Sequence, residues 1–311
     1  MGKTAYLFPG QGSQFVGMGK TLRDEYPVTA EVFDLADEVM EMPLSLLSFD
    51  GPEETLRETR YTQPAIMMVS LALLKLLDGR DMRPEIVAGH SLGEYTALVA
   101  ARVLSPRDAF RAVRRRAELM FQAGVENPGS MAAVLGLPTD EVVQVCREAE
   151  EIGIVQPANL NAPGQIVISG EVAAVEKAME LAGERGAKRV VALPVSGAFH
   201  SELMGYASEG LEAILNEIEF RDAEVPVVVN VDAVPVTEGA ELRKALVRQL
   251  RGAVRWEESI RRMAEEGVTD AFEIGPGRVL KGLARKIERG IAVRNVEDGE
   301  SFRNLIEGAA E

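Results

Sequence analysis

A serine between two glycines and a distant histidine are the side chains whose types could carry covalent chemistry. Ser91 is the third residue of the segment Gly-His-Ser-Leu-Gly at positions 89–93. The apolar residues before it predict a buried strand over 85–89, and the pattern after it predicts a helix over 92–101. A strand, a tight turn and a helix form the setting of a nucleophile elbow, which raises the serine hydroxyl above the edge of a sheet. The alternative is a structural turn in which Ser91 caps the helix.

A serine hydroxyl needs a base to become nucleophilic near pH 7, and histidine is the usual one. The chain has two histidines. His90 is adjacent to Ser91, so its side chain is expected to project away from the nucleophile, which leaves His200 as the base. About a third of the chain follows His200, whereas the triad histidine of an ordinary α/β-hydrolase lies near the C-terminus. The pair therefore predicts acyl-serine chemistry outside the common hydrolases.

Two segments near the N-terminus contain glycine where an oxyanion or a phosphate could bind. Residues 9–14 follow the first predicted strand, so a backbone N–H there could complete an oxyanion hole beside Ser91. A plain β–α turn is the alternative. Residues 19–21, Gly-Lys-Thr, resemble the end of a phosphate-binding loop, but that motif requires glycine where Gln14 stands. The chain is therefore not expected to be a P-loop protein.

Strand and helix patterns alternate along the chain, which is typical of a parallel α/β layer fold. Residues 128–197 depart from this alternation, because their order strand–helix–strand–strand–helix–strand is that of a ferredoxin-like module. Within it, residues 161–164 (Asn-Ala-Pro-Gly) predict the turn between the two middle strands. We therefore expect an α/β-hydrolase-like large domain made of residues 1–127 and 198–311, with a ferredoxin-like small domain inserted at 128–197. In the last third, the patterns predict strands over 225–231 and 270–274 and helices over 207–218, 241–250, 259–266 and 279–287.

The composition excludes several classes of function. The 311 residues include 34 basic and 49 acidic side chains, a net charge of −15, whereas nucleic-acid binding requires a basic face. No apolar run reaches the ~18 residues of a membrane span, and no signal peptide is recognisable, so a cytoplasmic protein is expected. The one cysteine, Cys146, can form no internal disulfide and is expected to be buried in a helix. One cysteine and two histidines cannot form a zinc site of the Cys/His type, and no spacing of carboxylates suggests another metal.

Several motifs together give the chain a resemblance to a known family. Residues 8–14 (Phe-Pro-Gly-Gln-Gly-Ser-Gln), 89–95 (Gly-His-Ser-Leu-Gly-Glu-Tyr) and 196–201 (Ser-Gly-Ala-Phe-His-Ser) resemble the opening, nucleophile and histidine motifs of malonyl-CoA:acyl carrier protein transacylases. Shorter matches to the same family lie at residues 61–65, 159–165, 247–250 and 273–277. The resemblance covers nearly the whole chain, and no catalytic residue departs from the family pattern.

The resemblance implies a role for each matching residue. Ser91 would take the malonyl group, with His200 as general base and acid. The backbone N–H groups of Gln11 and Leu92 would form the oxyanion hole. The family has no aspartate as third member, and the main-chain carbonyl of Gln249 would orient the histidine instead.

The same resemblance implies how the acyl group is selected. Arg116 matches the arginine that grips the free carboxylate of the malonyl group, and Gln63 and Asn161 match residues near the acyl pocket. A guanidinium presents a planar fork to a carboxylate, so a buried Arg116 would bind malonyl and disfavour neutral acyl groups. In related polyketide acyltransferases, phenylalanine at the position of Phe199 goes with malonyl and a smaller serine goes with methylmalonyl, since a ring there would crowd an α-methyl branch.

The resemblance further implies malonyl-CoA and the phosphopantetheine thiol of acyl carrier protein as substrates, with no metal and no redox cofactor. No nucleic-acid or membrane partner is expected, and we expect a monomer. Acyl carrier proteins are acidic, as is this chain, so association would require a local basic patch. The candidate cations, for which a solvated face is the alternative, are Arg111, Arg114 and Arg115 on one helix or Lys281, Arg285, Lys286 and Arg289 on another. Two other functions stay open, a serine esterase or thioesterase with the same elbow and a non-catalytic scaffold that binds the carrier protein.

Overall fold

The computed structural model describes residues 2–80, 82–195 and 197–308, which form ten β-strands and fourteen α-helices. The strands are β1 (Lys3–Phe8), β2 (Ile86–Gly89), β3 (Gly129–Leu135), β4 (Val155–Ala162), β5 (Gln165–Glu171), β6 (Arg189–Ala192), β7 (Val227–Val228), β8 (Pro235–Val236), β9 (Val268–Ile274) and β10 (Ala292–Val296). The α-helices are α1 (Lys20–Glu25), α2 (Ala30–Met40), α3 (Leu44–Asp50), α4 (Glu53–Leu56), α5 (Thr59–Asp78), α6 (Gly93–Ala100), α7 (Pro106–Glu126), α8 (Thr139–Ala149), α9 (Val172–Glu184), α10 (Gly205–Asn216), α11 (Gly239–Gln249), α12 (Trp256–Glu265), α13 (Val279–Ile287) and α14 (Gly299–Gly308). Short 3₁₀ helices span Pro27–Thr29 and Glu202–Met204.

Six strands form the larger sheet in the order β10-β9-β1-β2-β7-β8, and every pair is parallel except β7 with β8. The two central strands are β1 and β2, and Phe8 at the end of β1 lies opposite Gly89 at the end of β2. Parallel strands end at the same edge of a sheet, so the segments that follow β1, β2 and β7 meet there. This edge carries Ser91.

The side chains of β1 explain why helices cover both faces of this sheet. Tyr6 and Phe8 belong to one buried cluster, and Ala5 and Leu7 belong to another. Residues of α5 and α7 pack in the first cluster, whereas residues of α12 and α13 pack in the second. A strand buried on both sides must be apolar at successive positions, as the sequence of β1 is.

The strands β3 to β6 form a separate antiparallel sheet in the order β4-β5-β3-β6. Ala132 and Ile168 pack with α8 and α9, which also bury Cys146. Met131 and Val167, on alternate positions, belong instead to the core that contains Tyr6 and Phe8 of the larger sheet. One face of the smaller sheet is therefore covered by its own helices, and the other faces the rest of the chain.

The turn between β4 and β5 is shorter than predicted. The prediction placed Asn161 and Ala162 in the turn, but β4 continues through both residues. Pro163 and Gly164 alone make the turn, and Gly164 takes the positive φ of 66° that such a tight reversal requires. Propensity favours a turn at asparagine, whereas the pairing of its neighbours Leu160 and Ala162 with β5 carries the strand through Asn161, which lies at a shift of the register.

The last third of the chain contains elements that were not predicted. The strand expected over 225–231 is only two residues long, and Asn230 lies in the turn that follows it. The edge strand β10 and the helix α14 lie beyond the last predicted element. β10 contains Arg294 and Asn295, so its sequence lacks the apolar run that identifies a buried strand. Among the described helices, none combines the length and the apolar composition that a membrane span requires.

Candidate active site

The turn from β2 to α6 places Ser91 at the edge of the larger sheet. Ser91 has a φ of 51°, in the left-handed region that L-residues rarely adopt. A Cβ on Gly89 would lie 1.9 Å from the Gly93 carbonyl, and a Cβ on Gly93 would lie 2.1 Å from the Phe8 carbonyl oxygen. Only glycine fits at both positions, so the spacing of the two glycines lets the strained strand–turn–helix form.

The imidazole of His200 lies within hydrogen-bond distance of Ser91 Oγ. Ser91 Oγ and His200 Nε2 are 2.8 Å apart, and His200 Nδ1 lies 2.8 Å from the carbonyl oxygen of Gln249. A carbonyl oxygen only accepts, so Nδ1 carries the proton and Nε2 is left to accept from the serine hydroxyl. Burial, and secondly the charge of Arg116, lower the pKa of His200 to about 3. The imidazole is therefore neutral at pH 7 and able to take a proton from Ser91.

Arg116 is a buried cation that forms no ion pair within the described ranges. It lies on the buried stripe of α7 and is 1% exposed. Its Nη1 donates to Gln63 Oε1 at 2.5 Å, and its Nη2 donates to Gln249 Oε1 at 3.0 Å and to Ser91 Oγ at 3.1 Å. Its Nε is buried and has no hydrogen-bond partner among the residues that the structure describes. A buried guanidinium that is surrounded by neutral acceptors can bind an anionic group beside Ser91.

Two backbone N–H groups at this edge are available to an incoming oxygen. Those of Gln11 and Leu92 make no hydrogen bond to a protein acceptor in the described chain. Both residues line the cavity that contains Ser91. Leu92 is the N-cap of α6, where the helix dipole favours negative charge, and Gln11 follows β1, with its Nε2 donating to Thr59 Oγ1 at 3.2 Å.

A cavity of about 510 Å³ lies between strands of the smaller sheet and the segments that follow β1 and β2 of the larger one. Ser91, His200 and Arg116 line its polar part. Its apolar part is lined by Met120, Met131, Val167, Leu193 and Phe199. Ser196, which begins the histidine motif, lies outside the described residues. Elsewhere in the described chain, no group of three or more His, Cys, Asp or Glu side chains is arranged to hold a metal ion.

Asn161 contacts the site through His90 and not through the nucleophile. His90 Nε2 lies 2.7 Å from Asn161 Oδ1, and the ring of His90 meets that of Trp256 edge-on at 5.4 Å between centroids. The contacts of the His90 ring are thus with Asn161 and Trp256 and not with Ser91 Oγ, although His90 is among the residues that line the cavity. The strand β4 lies close enough to the elbow for Asn161 to hold the imidazole there.

Two buried residues of the site were not predicted from the sequence. Asn230 Oδ1 accepts from the Ser91 N–H at 2.7 Å. The Glu94 carboxylate accepts from the Asn230 N–H at 2.9 Å and from Gln249 Nε2 at 3.0 Å. Burial raises the pKa of Glu94 to about 7. The signal that could have found them is a polar residue inside an apolar pattern, since Asn230 interrupts a run of valines and Glu94 lies in a helix that is buried almost throughout.

The two candidate basic patches differ in how their charges are paired. Arg111, Arg114 and Arg115 all form ion pairs with nearby acidic side chains. By contrast, α13 and the residues just after it carry four exposed cations that form no ion pair with any described residue. We call these cations the α13 basic face: Lys281, Arg285, Lys286 and Arg289. The first residues of α13, Val279 and Leu280, line the cavity. The α13 basic face therefore lies on the helix that begins at the site.

Comparison with known proteins identifies the family. Residues 5–303 match the family model described as acyl transferase domain. The malonyl CoA-acyl carrier protein transacylase of Bacillus subtilis is 49% identical over 308 residues, which are 99% of this chain and 97% of that protein. The crystal structure of the malonyl-CoA:acyl carrier protein transacylase of Xanthomonas oryzae has a TM-score of 0.95 at 41% identity, over 99% of this chain and 98% of that one. A solved structure of a type II polyketide synthase acyl carrier protein in complex with its malonyl-transacylase also matches with a TM-score of 0.95 at 41% identity, over 98% of this chain and 99% of that one. The chain therefore belongs to the acyl transferase domain family and, within it, to the malonyl CoA-acyl carrier protein transacylases.

Proposed function

We propose that this protein transfers the malonyl group from malonyl-CoA to the phosphopantetheine thiol of acyl carrier protein, for fatty acid synthesis, through a malonyl ester on Ser91. One observation carries the proposal beyond family membership. Ser91 Oγ is hydrogen-bonded both to a neutral imidazole, His200, and to the buried guanidinium of Arg116, which has no ion pair in the described part of the chain. The first contact supplies a base for acyl transfer, and the second supplies a binding group for an acyl chain that ends in a carboxylate.

In the first half of the cycle, His200 Nε2 takes the hydroxyl proton as Ser91 Oγ attacks the thioester carbonyl of malonyl-CoA. The carbonyl oxygen becomes an oxyanion, which the N–H groups of Gln11 and Leu92 stabilise. When the intermediate collapses, the C–S bond breaks and the imidazolium returns its proton to the leaving sulfur of CoA. The carbonyl oxygen of Gln249 keeps Nδ1 protonated throughout, so Nε2 alone exchanges protons.

In the second half, the same groups act in reverse order. His200 Nε2 takes the proton of the carrier thiol, and the sulfur attacks the ester carbonyl of malonyl-Ser91. The oxyanion forms again in the same place. The C–O bond to Ser91 then breaks, and Oγ recovers its proton from the imidazolium, which regenerates the free enzyme.

Arg116 selects the acyl group by its charge. A malonyl carboxylate lies two carbons from the reacting carbonyl, so a guanidinium next to Ser91 Oγ is within reach of it. Gln63 and Gln249 hold the guanidinium by its two terminal nitrogens, which fixes its plane for bidentate contact. An acetyl group would leave the buried charge without a partner, and this penalty disfavours neutral acyl chains. Phe199, on the apolar wall, would crowd an α-methyl branch.

The two alternative functions have less support. A thioesterase would use the same elbow with water in place of the carrier thiol, but the relatives that match nearly the whole chain are named as transacylases. A non-catalytic scaffold would need no hydrogen-bonded serine and neutral histidine at the floor of a cavity. Both observations favour transfer.

The carrier protein is proposed to dock at the α13 basic face. The chain as a whole carries a charge of −15, which repels an acidic partner. On the helix that begins at the cavity, the cations that have no ion pair with any described residue provide local attraction, which outweighs this repulsion at distances below the Debye length of ~8–10 Å. The cycle itself requires no metal and no redox cofactor. The monomeric state and the cytoplasmic location stay predictions.

We also propose the finer description of the fold. The order of the smaller sheet, counted within its own module, is 4-1-3-2 with a helix after the first and third strands, which supports a ferredoxin-like domain at 128–197. The parallel sheet with a nucleophile elbow after β2 supports a hydrolase-like domain made of residues 1–127 and 198–311.

Mass spectrometry of the intact protein tests the proposed function. Wild type mixed with malonyl-CoA should gain one malonyl group, and holo acyl carrier protein should then remove it and appear as malonyl carrier protein. Ser91→Ala should gain no adduct. A wild-type protein that forms no adduct, or whose adduct is released only as free malonate at a rate independent of the carrier, would contradict the transfer reaction.

A further inference from the structure

The elbow of Ser91 is fastened by a residue far away in the sequence. Asn230 donates from Nδ2 to the carbonyl oxygen of Gly89 at 2.7 Å and accepts at Oδ1 from the N–H of Ser91 at 2.7 Å. The two hydrogen bonds therefore fix the backbone on both sides of His90, at Gly89 and at Ser91, which has the φ of 51°. A left-handed φ at serine costs about 1–3 kcal/mol and persists only where surrounding contacts hold it. Asn230 is 0% exposed, so water does not compete for these bonds.

Asn230 is itself held by Glu94. The Glu94 carboxylate accepts from the backbone N–H of Asn230 at 2.9 Å and from Nε2 of Gln249 at 3.0 Å. Glu94 is 1% exposed and lies in the first turn of α6, two residues after Leu92. One oxygen of this side chain, Oε2, thus joins the segment after β7 to the end of α11.

Gln249 connects Glu94 to Arg116 and His200 through hydrogen bonds. Its Nε2 also donates to the carbonyl oxygen of Ser91 at 3.0 Å, its Oε1 accepts from Arg116 at 3.0 Å, and its backbone oxygen accepts from His200 at 2.8 Å. A shift of Gln249 would therefore move the base and the guanidinium together. With Asn230, the side chain of Glu94 sets the relative positions of nucleophile, base and guanidinium.

We propose that Asn230 and Glu94 are positioning residues of the transfer reaction: Asn230 holds the backbone of Ser91 in its left-handed conformation, and Glu94 fastens Asn230 and Gln249 to each other. Neither residue needs to contact the substrate. Their removal should lower the rate of the chemical step, because a misplacement of about 1 Å in a reacting group can reduce the rate about 100-fold. Substrate affinity should change less than this rate, since Arg116 keeps its bond to Gln63 and the apolar wall remains. The inference rests on the proposed malonyl transfer.

The test is the single-turnover rate at which malonyl-CoA acylates Ser91, followed by quenched flow and intact mass, in Asn230→Ala, Glu94→Ala and Glu94→Gln. We expect Asn230→Ala and Glu94→Ala to acylate about 100-fold more slowly than wild type, with a half-saturating malonyl-CoA concentration within about threefold of the wild-type value. Glu94→Gln keeps an oxygen that can accept both hydrogen bonds, so it should recover to within about tenfold of wild type.

Asp37→Asn is the matched control, because the Asp37 carboxylate also joins two segments, through the N–H and hydroxyl of Ser45 at 2.7 and 2.6 Å, away from the cavity. It should lower the melting temperature without changing the acylation rate. A folded Asn230→Ala protein that acylates at the wild-type rate would overturn the role of Asn230. If Glu94→Gln acylates as slowly as Glu94→Ala, the positioning role of Glu94 is overturned. If Asn230→Ala does not fold, the comparison of these two Glu94 variants tests the proposal. Failure of wild type to form any adduct would instead overturn the proposed function.

Discussion

Arg116 Nη2 lies 3.1 Å from Ser91 Oγ, so the group that would select the acyl chain contacts the atom that would receive it. Arg116 donates to Oγ, which leaves the hydroxyl proton of Ser91 directed to His200 Nε2, 2.8 Å away. Acylation turns Oγ into an ester oxygen and brings a carboxylate into the cavity. The guanidinium then has a better acceptor than Oγ, so its bond to the nucleophile can be exchanged for a bond to the substrate.

Removal of this guanidinium should change which acyl group is transferred. Arg116→Ala should lower kcat/KM for malonyl-CoA about 100-fold, since a charge-assisted bidentate contact is lost, while the rate with acetyl-CoA should rise because no buried charge is left without a partner. Steady-state transfer to holo carrier protein from each thioester measures both. Arg115→Ala is the control, because Arg115 is exposed and paired with Glu118 on the same helix. Unchanged malonyl selectivity in Arg116→Ala would show that Arg116 does not bind the malonyl carboxylate.

The pH dependence of acylation should report the neutral state of His200. Its pKa is lowered to about 3, first by burial and then by Arg116, from an ordinary value of 6.5. A base with a lowered pKa keeps its reactive neutral form as the pH falls, so kcat/KM for malonyl-CoA should stay level as the pH falls through 6.5. In Arg116→Gln the electrostatic cause is absent and the pKa of His200 rises, so the acid limb should move to higher pH. A wild-type profile that falls with an apparent pKa near 6.5 would contradict this state of the imidazole.

How far the sequence predicts the site depends on how local each contact is. The elbow is encoded within five residues, because glycines at 89 and 93 are the only residues that fit the turn. The burial of Arg116 also follows from local periodicity, since it occupies the apolar stripe of α7. The strand–helix alternation likewise predicts most elements that carry the site.

The remaining contacts join residues that are distant in the chain. Asn230 and Ser91 are 139 positions apart, and no local pattern indicates that the turn after β7 bonds to the elbow. Asn161 was expected in a turn, but the pairing of its neighbours Leu160 and Ala162 with β5 decides its place beside His90. The unpaired state of the α13 basic face is also a tertiary property, because it depends on which acidic side chains the fold leaves out of reach.

The ring of Phe199 should exclude a branched acyl chain. It is 7% exposed and lines the apolar part of the cavity, directly before His200. Phe199→Ser should raise kcat/KM for methylmalonyl-CoA relative to malonyl-CoA by about tenfold, the usual effect of space for one carbon in an apolar pocket. The ratio of the two constants is the measurement, because it cancels any general loss of activity. A ratio that does not change would place the α-carbon away from Phe199.

Charge reversal on the α13 basic face should weaken binding of the carrier protein and leave acylation by malonyl-CoA nearly unchanged. Lys281→Glu combined with Arg285→Glu should raise KM for holo carrier protein about tenfold, because each surface charge contributes up to about 1 kcal/mol to association. Acylation by malonyl-CoA should change less, within about threefold, since the reacting groups are untouched. The double variant Arg111→Glu, Arg115→Glu is the control: it makes the same change in net charge on a helix where the cations are already ion-paired. If both double variants raise the KM for the carrier protein equally, net charge and not the α13 basic face governs docking. If kcat/KM for the carrier protein falls more steeply with salt concentration in wild type than in the α13 variant, docking at the α13 basic face is supported.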